Sequence, residues 1–88
     1  MDITVRLYND KNIKFYGSDK ITIDLEEYLV GCVAAEIGNA PLEACKAQAV
    51  ASRTFALNAI KSKGYITDKS SSDQAFRSER LTGYPNVI

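Results

Sequence analysis

The 88 residues, 45% hydrophobic and 25% charged, amount to one compact domain at most. Eleven basic and eleven acidic side chains cancel, a balance that argues against a chain built to wrap nucleic acid or an anionic membrane. No histidine is present, which excludes Ser-His-Asp and Cys-His hydrolases and HExxH zinc sites, and two cysteines cannot supply a four-thiolate zinc site.

In chain order, residues 3–8 (ITVRLY) alternate apolar and polar and predict a half-buried strand. Asn9-Asp10 reads as a turn, Ile13, Phe15 and Tyr16 as a second strand, and Ile21-Thr22-Ile23, after the turn at Gly17-Ser18-Asp19, as a third. Residues 1–24 are therefore expected to form a small antiparallel β-meander. Asp24 is a good helix N-cap, with Glu27 at capping-box spacing. A helix is expected from Leu25 to Ile37, stopped by Gly38-Asn39. Pro41 suits the first turn of a second helix, which runs to Lys63 and stops at Gly64. That helix is rich in alanine and apolar nearly all round, a pattern usual for a buried helix. Residues 25–63 thus form a helix hairpin. Residues 64–88 are polar and read as loop plus a short strand near Gln74-Ala75-Phe76, and the ending Asn86-Val87-Ile88 suggests that the domain continues further. The fold class is α+β, a short sheet beside a two-helix hairpin.

No run approaches the roughly 20 apolar residues of a membrane helix, and MDITVRLYND has neither part of a signal peptide. Residues 1–40 carry four basic and seven acidic side chains, residues 41–88 seven basic and four acidic. This asymmetry is what two solvated faces would give.

Three charges stand out. At about 100° per residue, Leu25, Tyr28, Leu29, Cys32 and Val33 form one apolar stripe, and Glu36 falls near its middle. Glu26 and Glu27 lie at the N-terminus, where the helix dipole favours them, whereas Glu36 lies in the last turn, where it does not. On the second helix Lys46 and Arg53, two turns apart, fall within the stripe of Leu42, Ala49, Leu57 and Ile60. A hairpin would bring all three toward one region. They form either a half-buried ion pair, Glu36 with Arg53 or Lys46, or a general acid flanked by substrate-binding cations.

The stretch LEEYLVGCVAAEIGNAPLEACKAQAVASRTFALNAI, residues 25–60, resembles the SpoIID/LytB family (stage II sporulation protein D, or amidase enhancer), whose hallmark is close to LEEYLVGVVAAEMP followed by EALKAQAVAARTYAL. The resemblance implies bacterial cell-wall work outside the cytoplasm, in the wall or the forespore–mother cell space. Sporulation members are lytic transglycosylases that cut peptidoglycan glycan strands and assist a partner amidase. LytB-type members imply the alternative, a non-catalytic glycan-binding or amidase-enhancing module. By the resemblance the catalytic glutamate maps onto Glu36, and the functional basic residues onto Lys46 and Arg53. Gln74-Ala75-Phe76 resembles the family's QVY, which makes Gln74 a further substrate-binding candidate. The segment before it, SSSD, lacks the His and Cys that some members use as metal ligands, so no metal and no cofactor is expected. Cys32 and Cys45 replace apolar residues of the motif and are expected to be buried thiols, not a required disulfide.

Overall fold

A computed structural model describes residues 1–38, 40–69 and 72–77. The described chain is α+β: β1 (Asp2–Arg6), α1 (Asp10–Tyr16), β2 (Lys20–Asp24), α2 (Leu25–Glu36), α3 (Leu42–Lys63) and β3 (Ile66–Thr67). The strand order is β2-β1-β3. β1 pairs antiparallel with β2, Ile3 opposite Ile23 and Arg6 opposite Lys20, and parallel with β3, Val5 opposite Ile66.

The first forty residues hold a helix where a second strand was expected. Asn9, read as a turn residue, is the N-cap of α1: its side chain accepts from the Lys11 and Asn12 amides. Gly17, at φ 70°, ends the helix in the left-handed region that costs glycine nothing. The buried face confirms the helical period, because Asn12, Ile13 and Tyr16 turn inward while Phe15 is exposed. The sheet is accordingly mixed, with β1 in the middle, and no meander forms.

The helix hairpin is as expected, within a residue at its ends. Asp24 caps α2 by accepting from the Glu26 amide. Gly38, at φ 54°, turns the chain after α2, and Gly64, at φ 82°, closes α3. Pro41 is the N-cap of α3, one position before the first turn. The core lies between the inner face of the sheet and α2, from Ile3, Val5, Leu7, Ile23 and Ile66 to Leu25, Tyr28, Leu29 and Cys32. α3 departs from expectation. Cys45, Ser52 and Ala56 are buried, but Val50 and Phe55 are 60% and 43% exposed, because among the described residues α2 covers one side of the helix only.

The tail is tied down by Phe76, 1% exposed, although Gln74-Ala75-Phe76 is not the expected strand; that pairing is made by Ile66-Thr67. The Phe76 ring stacks on Tyr28 at 5.2 Å and lies 6.4 Å from Tyr16. It rests on Gly31, where any Cβ would overlap the ring. Close approach of ring to backbone explains a glycine in the middle of α2 despite its poor helix propensity. The Asn12 amide, itself fully buried, donates to the Phe76 carbonyl (2.7 Å) and to Asp68 Oδ2 (2.9 Å). Asp68 accepts in turn from the Tyr8 and Asn9 amides (2.7 and 3.1 Å), which fastens the loop after β3 to the loop after β1.

Asp73, with a side chain 5% exposed, is the second clasp. It accepts from Lys63 Nζ (2.9 Å), the Thr67 amide (2.9 Å) and the Thr67 hydroxyl (2.8 Å). Burial disfavours its charge, but Lys63 and Thr67 outweigh burial and hold the carboxyl below its ordinary value of 3.8. A depressed folded-state value means that the clasp contributes fully above 3.8 and is lost as pH falls below it. Asp73→Asn is therefore expected to melt lower than the parent at neutral pH, with the gap closing as acid is added below that value; calorimetry against pH checks this.

The expected ending at Asn86–Ile88 and the Ser70-Ser71 pair lie outside the described residues.

Candidate functional site

Glu36 closes the last turn of α2, at the tip of the hairpin. It is exposed. The wheel placed it in the apolar stripe because a wheel collapses the helix axis. Along that axis Val33 and Ala34 are buried, Ala35 is half-buried, and Glu36 stands where the packed body ends. Among the described residues no hydrogen bond or ion pair holds its carboxylate.

The three charges do not form one ion-pair cluster. Arg53 Nη2 donates to Glu26 Oε1 (2.6 Å), across the hairpin at the opposite end of α2. Glu26 and Glu36 are ten residues apart, about 15 Å along a helix, so Arg53 is not beside the proposed acid. The physical reason is the antiparallel hairpin: the first turns of α3 face the end of α2, and the middle of α3 faces its beginning. Lys46, in the second turn of α3, pairs with Glu43 (3.4 Å) on its own helix surface. The expected Glu36 ion pair, with either cation, is absent among the described residues.

Gln74 is buried, and its amide donates to the Tyr28 hydroxyl (3.0 Å) and the Ser52 carbonyl (3.2 Å). It bridges the tail to α2 and α3, so its amide nitrogen is engaged inside the fold. Burial also keeps the Tyr28 phenol protonated, far above its ordinary range.

Cys32 and Cys45 are both buried and unpaired. Burial pushes the Cys32 thiol up to about 12; a hydrogen bond with Tyr28 opposes the rise and the charge of Glu36, one turn on, adds to it. A thiol kept neutral is a poor nucleophile. Cys32→Val combined with Cys45→Leu is expected to fold, and reductant is expected to leave the parent's melting temperature unchanged; circular dichroism of both checks it.

Sequence reading passed over Asn12, Asp68 and Asp73, which fix the tail. Single polar residues in polar stretches give no periodic signal, and their burial depends on partners about 56–64 positions away in Asn12's case.

Two open clefts among the described residues lie elsewhere: one lined by Arg6, Leu7, Tyr8, Asp19 and Lys20, the other by Phe55, Asn58, Ala59, Ser62, Lys63 and Asp73. Among the described residues no cluster of three or more His, Cys, Asp or Glu side chains is placed to hold a metal ion, and no helix is long and apolar enough to cross a membrane.

The protein is thus a small α+β module that presents a solvent-facing carboxylate at the tip of a helix hairpin. The family model for stage II sporulation protein, SpoIID, matches residues 18–86, and the chain belongs to that family. The match includes Glu36, Lys46, Arg53 and Gln74, and leaves β1 and α1 outside it. No curated protein matches the chain. Membership ties the protein to a sporulation- or cell-wall-related role.

Proposed function

We propose that the protein cleaves the glycan strands of bacterial peptidoglycan as a lytic transglycosylase, with Glu36 as its single acid–base group. The observation that carries this reading is the Glu36 carboxylate itself, solvent-facing in the AAEI segment and without a structural partner among the described residues. A carboxylate with no fold-stabilising contact, in a chain of a cell-wall-related family, is available for substrate.

Protonated Glu36 donates to the glycosidic oxygen as the bond from that oxygen to the anomeric carbon breaks. The sugar passes through an oxocarbenium-like state. Its own C6 hydroxyl then attacks the anomeric carbon, and the Glu36 carboxylate takes the hydroxyl proton. The product is a 1,6-anhydro end and no water is consumed, so the second carboxylate of an ordinary glycosidase is not required. The protein acts outside the cytoplasmic membrane, alongside a cell-wall amidase.

Lys46 and Arg53 serve as substrate contacts. They lie on one side of α3 about 10 Å apart, a spacing that lets them reach different sugar units of an extended strand. The Arg53–Glu26 pair is exposed, and such pairs contribute about 0.2–1 kcal/mol. Arg53→Lys keeps the charge and loses the planar fork, so glycan binding is expected to fall while the melting temperature barely moves. A large melting shift with unchanged binding would make the residue structural.

A second reading, a glycan-binding or amidase-enhancing module that does not cut, is favoured by one observation. Lys46 pairs with Glu43 and Arg53 with Glu26, so among the described residues neither cation forms an ion pair with Glu36. Incubation with purified glycan strands separates the two. Cleavage gives new anhydro ends, whereas a binding module co-sediments with the strands and leaves their ends unchanged.

A further inference from the structure

The C-terminal ends of β1 and β3 and the start of β2 meet at one end of the sheet, and cations gather there. Arg6 and Lys20 are direct cross-strand partners. Like charges in that relation destabilise a sheet, yet no carboxylate pairs with either among the described residues. At the other end of the ladder Asp2 faces Asp24, a second like-charge pair, but there the N-terminal ammonium lies 3.2 Å from Asp24 Oδ1 and offsets the repulsion. Arg6 Cζ sits 4.2 Å from the Tyr65 ring centroid, and Lys69 Nζ sits 4.2 Å from that of Tyr8. Both are cation–π contacts, which fix where each charge stands. Asp68 adds rigidity, because it holds the Tyr8 and Asn9 amides and so locks the loops that carry Tyr8 and Lys69. Arg6, Leu7, Tyr8, Asp19 and Lys20 line an open cleft of about 330 Å³, with Asp19 its acidic side chain; Tyr65 and Lys69 stand outside the lining, against Arg6 and Tyr8.

We infer that this end of the sheet is an anion-binding site for a soluble phosphodiester polymer, held by Arg6, Lys20 and Lys69. A phosphate offers oxygens in several directions, so one group can join the Arg6 fork to the Lys20 ammonium and relieve their repulsion. Lys69 lies beyond them on the Tyr8 ring and meets a second anionic group, which makes a polymer a better ligand than a single ion. Two other phosphate carriers fit less well. The Tyr8 and Tyr65 rings already carry cations, so base stacking of a nucleic acid is not what the site offers. Leu7, the aliphatic residue of the cleft, is buried, and the exposed Tyr8 ring carries Lys69, so the cleft offers no aliphatic side chain to a lipid surface.

The test is fluorescence anisotropy of labelled poly(glycerol phosphate) titrated with the purified protein, with single-stranded DNA and anionic phospholipid vesicles as parallel probes. The parent is expected to bind the polymer, and more weakly as ionic strength rises from about 0.05 to about 0.3 M. Lys20→Gln with Lys69→Gln is expected to weaken binding at least about tenfold, the loss typical of removing charge-assisted contacts. Lys20→Gln alone is expected to raise the melting temperature slightly while it weakens binding, because it removes the opposed charges. Lys14→Gln on α1 and Glu36→Gln are expected to bind as the parent does. The inference is overturned if the parent does not bind the polymer, if the double variant binds undiminished, if Glu36→Gln also loses it, or if DNA or vesicles bind more tightly.

Discussion

Phe76→Ala is expected to cost about 3–5 kcal/mol of folding free energy, the range for removing a fully buried aromatic ring. The ring is packed between Tyr16 and Tyr28 and against the Gly31 backbone, so its loss opens a cavity in the middle of the tail's docking surface. A chain of 88 residues has roughly 4–13 kcal/mol to lose. The variant is therefore expected to be partly unfolded at room temperature or to melt far below the parent. The loss is not confined to the ring, because the Phe76 carbonyl anchors the buried Asn12 amide and the Gln74 amide two residues earlier links Tyr28 to Ser52. Urea denaturation followed by circular dichroism measures the effect. A loss under 1 kcal/mol would mean that the tail contributes little to the fold.

The hairpin was legible in the sequence because its signals are local. Asp24 before α2, Gly38 after it and Gly64 after α3 each act within a few residues of themselves, through a cap or a left-handed φ. α1 was not legible for the opposite reason. Over seven residues Ile13, Phe15 and Tyr16 fit a strand period about as well as a helical one, and Asn9 serves equally well as turn or cap. The β3 pairing and the burial of Phe76 depend on partners far along the chain, which no window reveals. At the candidate site, the wheel identified Glu36, Lys46 and Arg53 as unusual but gave the wrong relation among them. It carries the angle of a residue and discards its height, and height is what separates Arg53 from Glu36 and lifts Glu36 into solvent.

Glu36→Gln is expected to reduce glycan cleavage by about 10²–10⁴-fold, the usual cost of removing a general acid–base group. Glutamine keeps the size and a hydrogen-bonding end but has no acidic proton to give. Glu36 is exposed and holds no structural contact among the described residues, so the melting temperature and glycan binding are expected to stay at the parent's values. That combination separates a catalytic role from a structural one, since a change that loosened the fold would move all three quantities together.

The most direct measurement is mass spectrometry of purified glycan strands digested side by side with the parent and with Glu36→Gln. 1,6-Anhydro ends are expected to accumulate with the parent and to be absent, or nearly so, with the variant. Equal anhydro-end formation by the two proteins would contradict the assignment of Glu36, and strands left intact by the parent would contradict the cleavage itself.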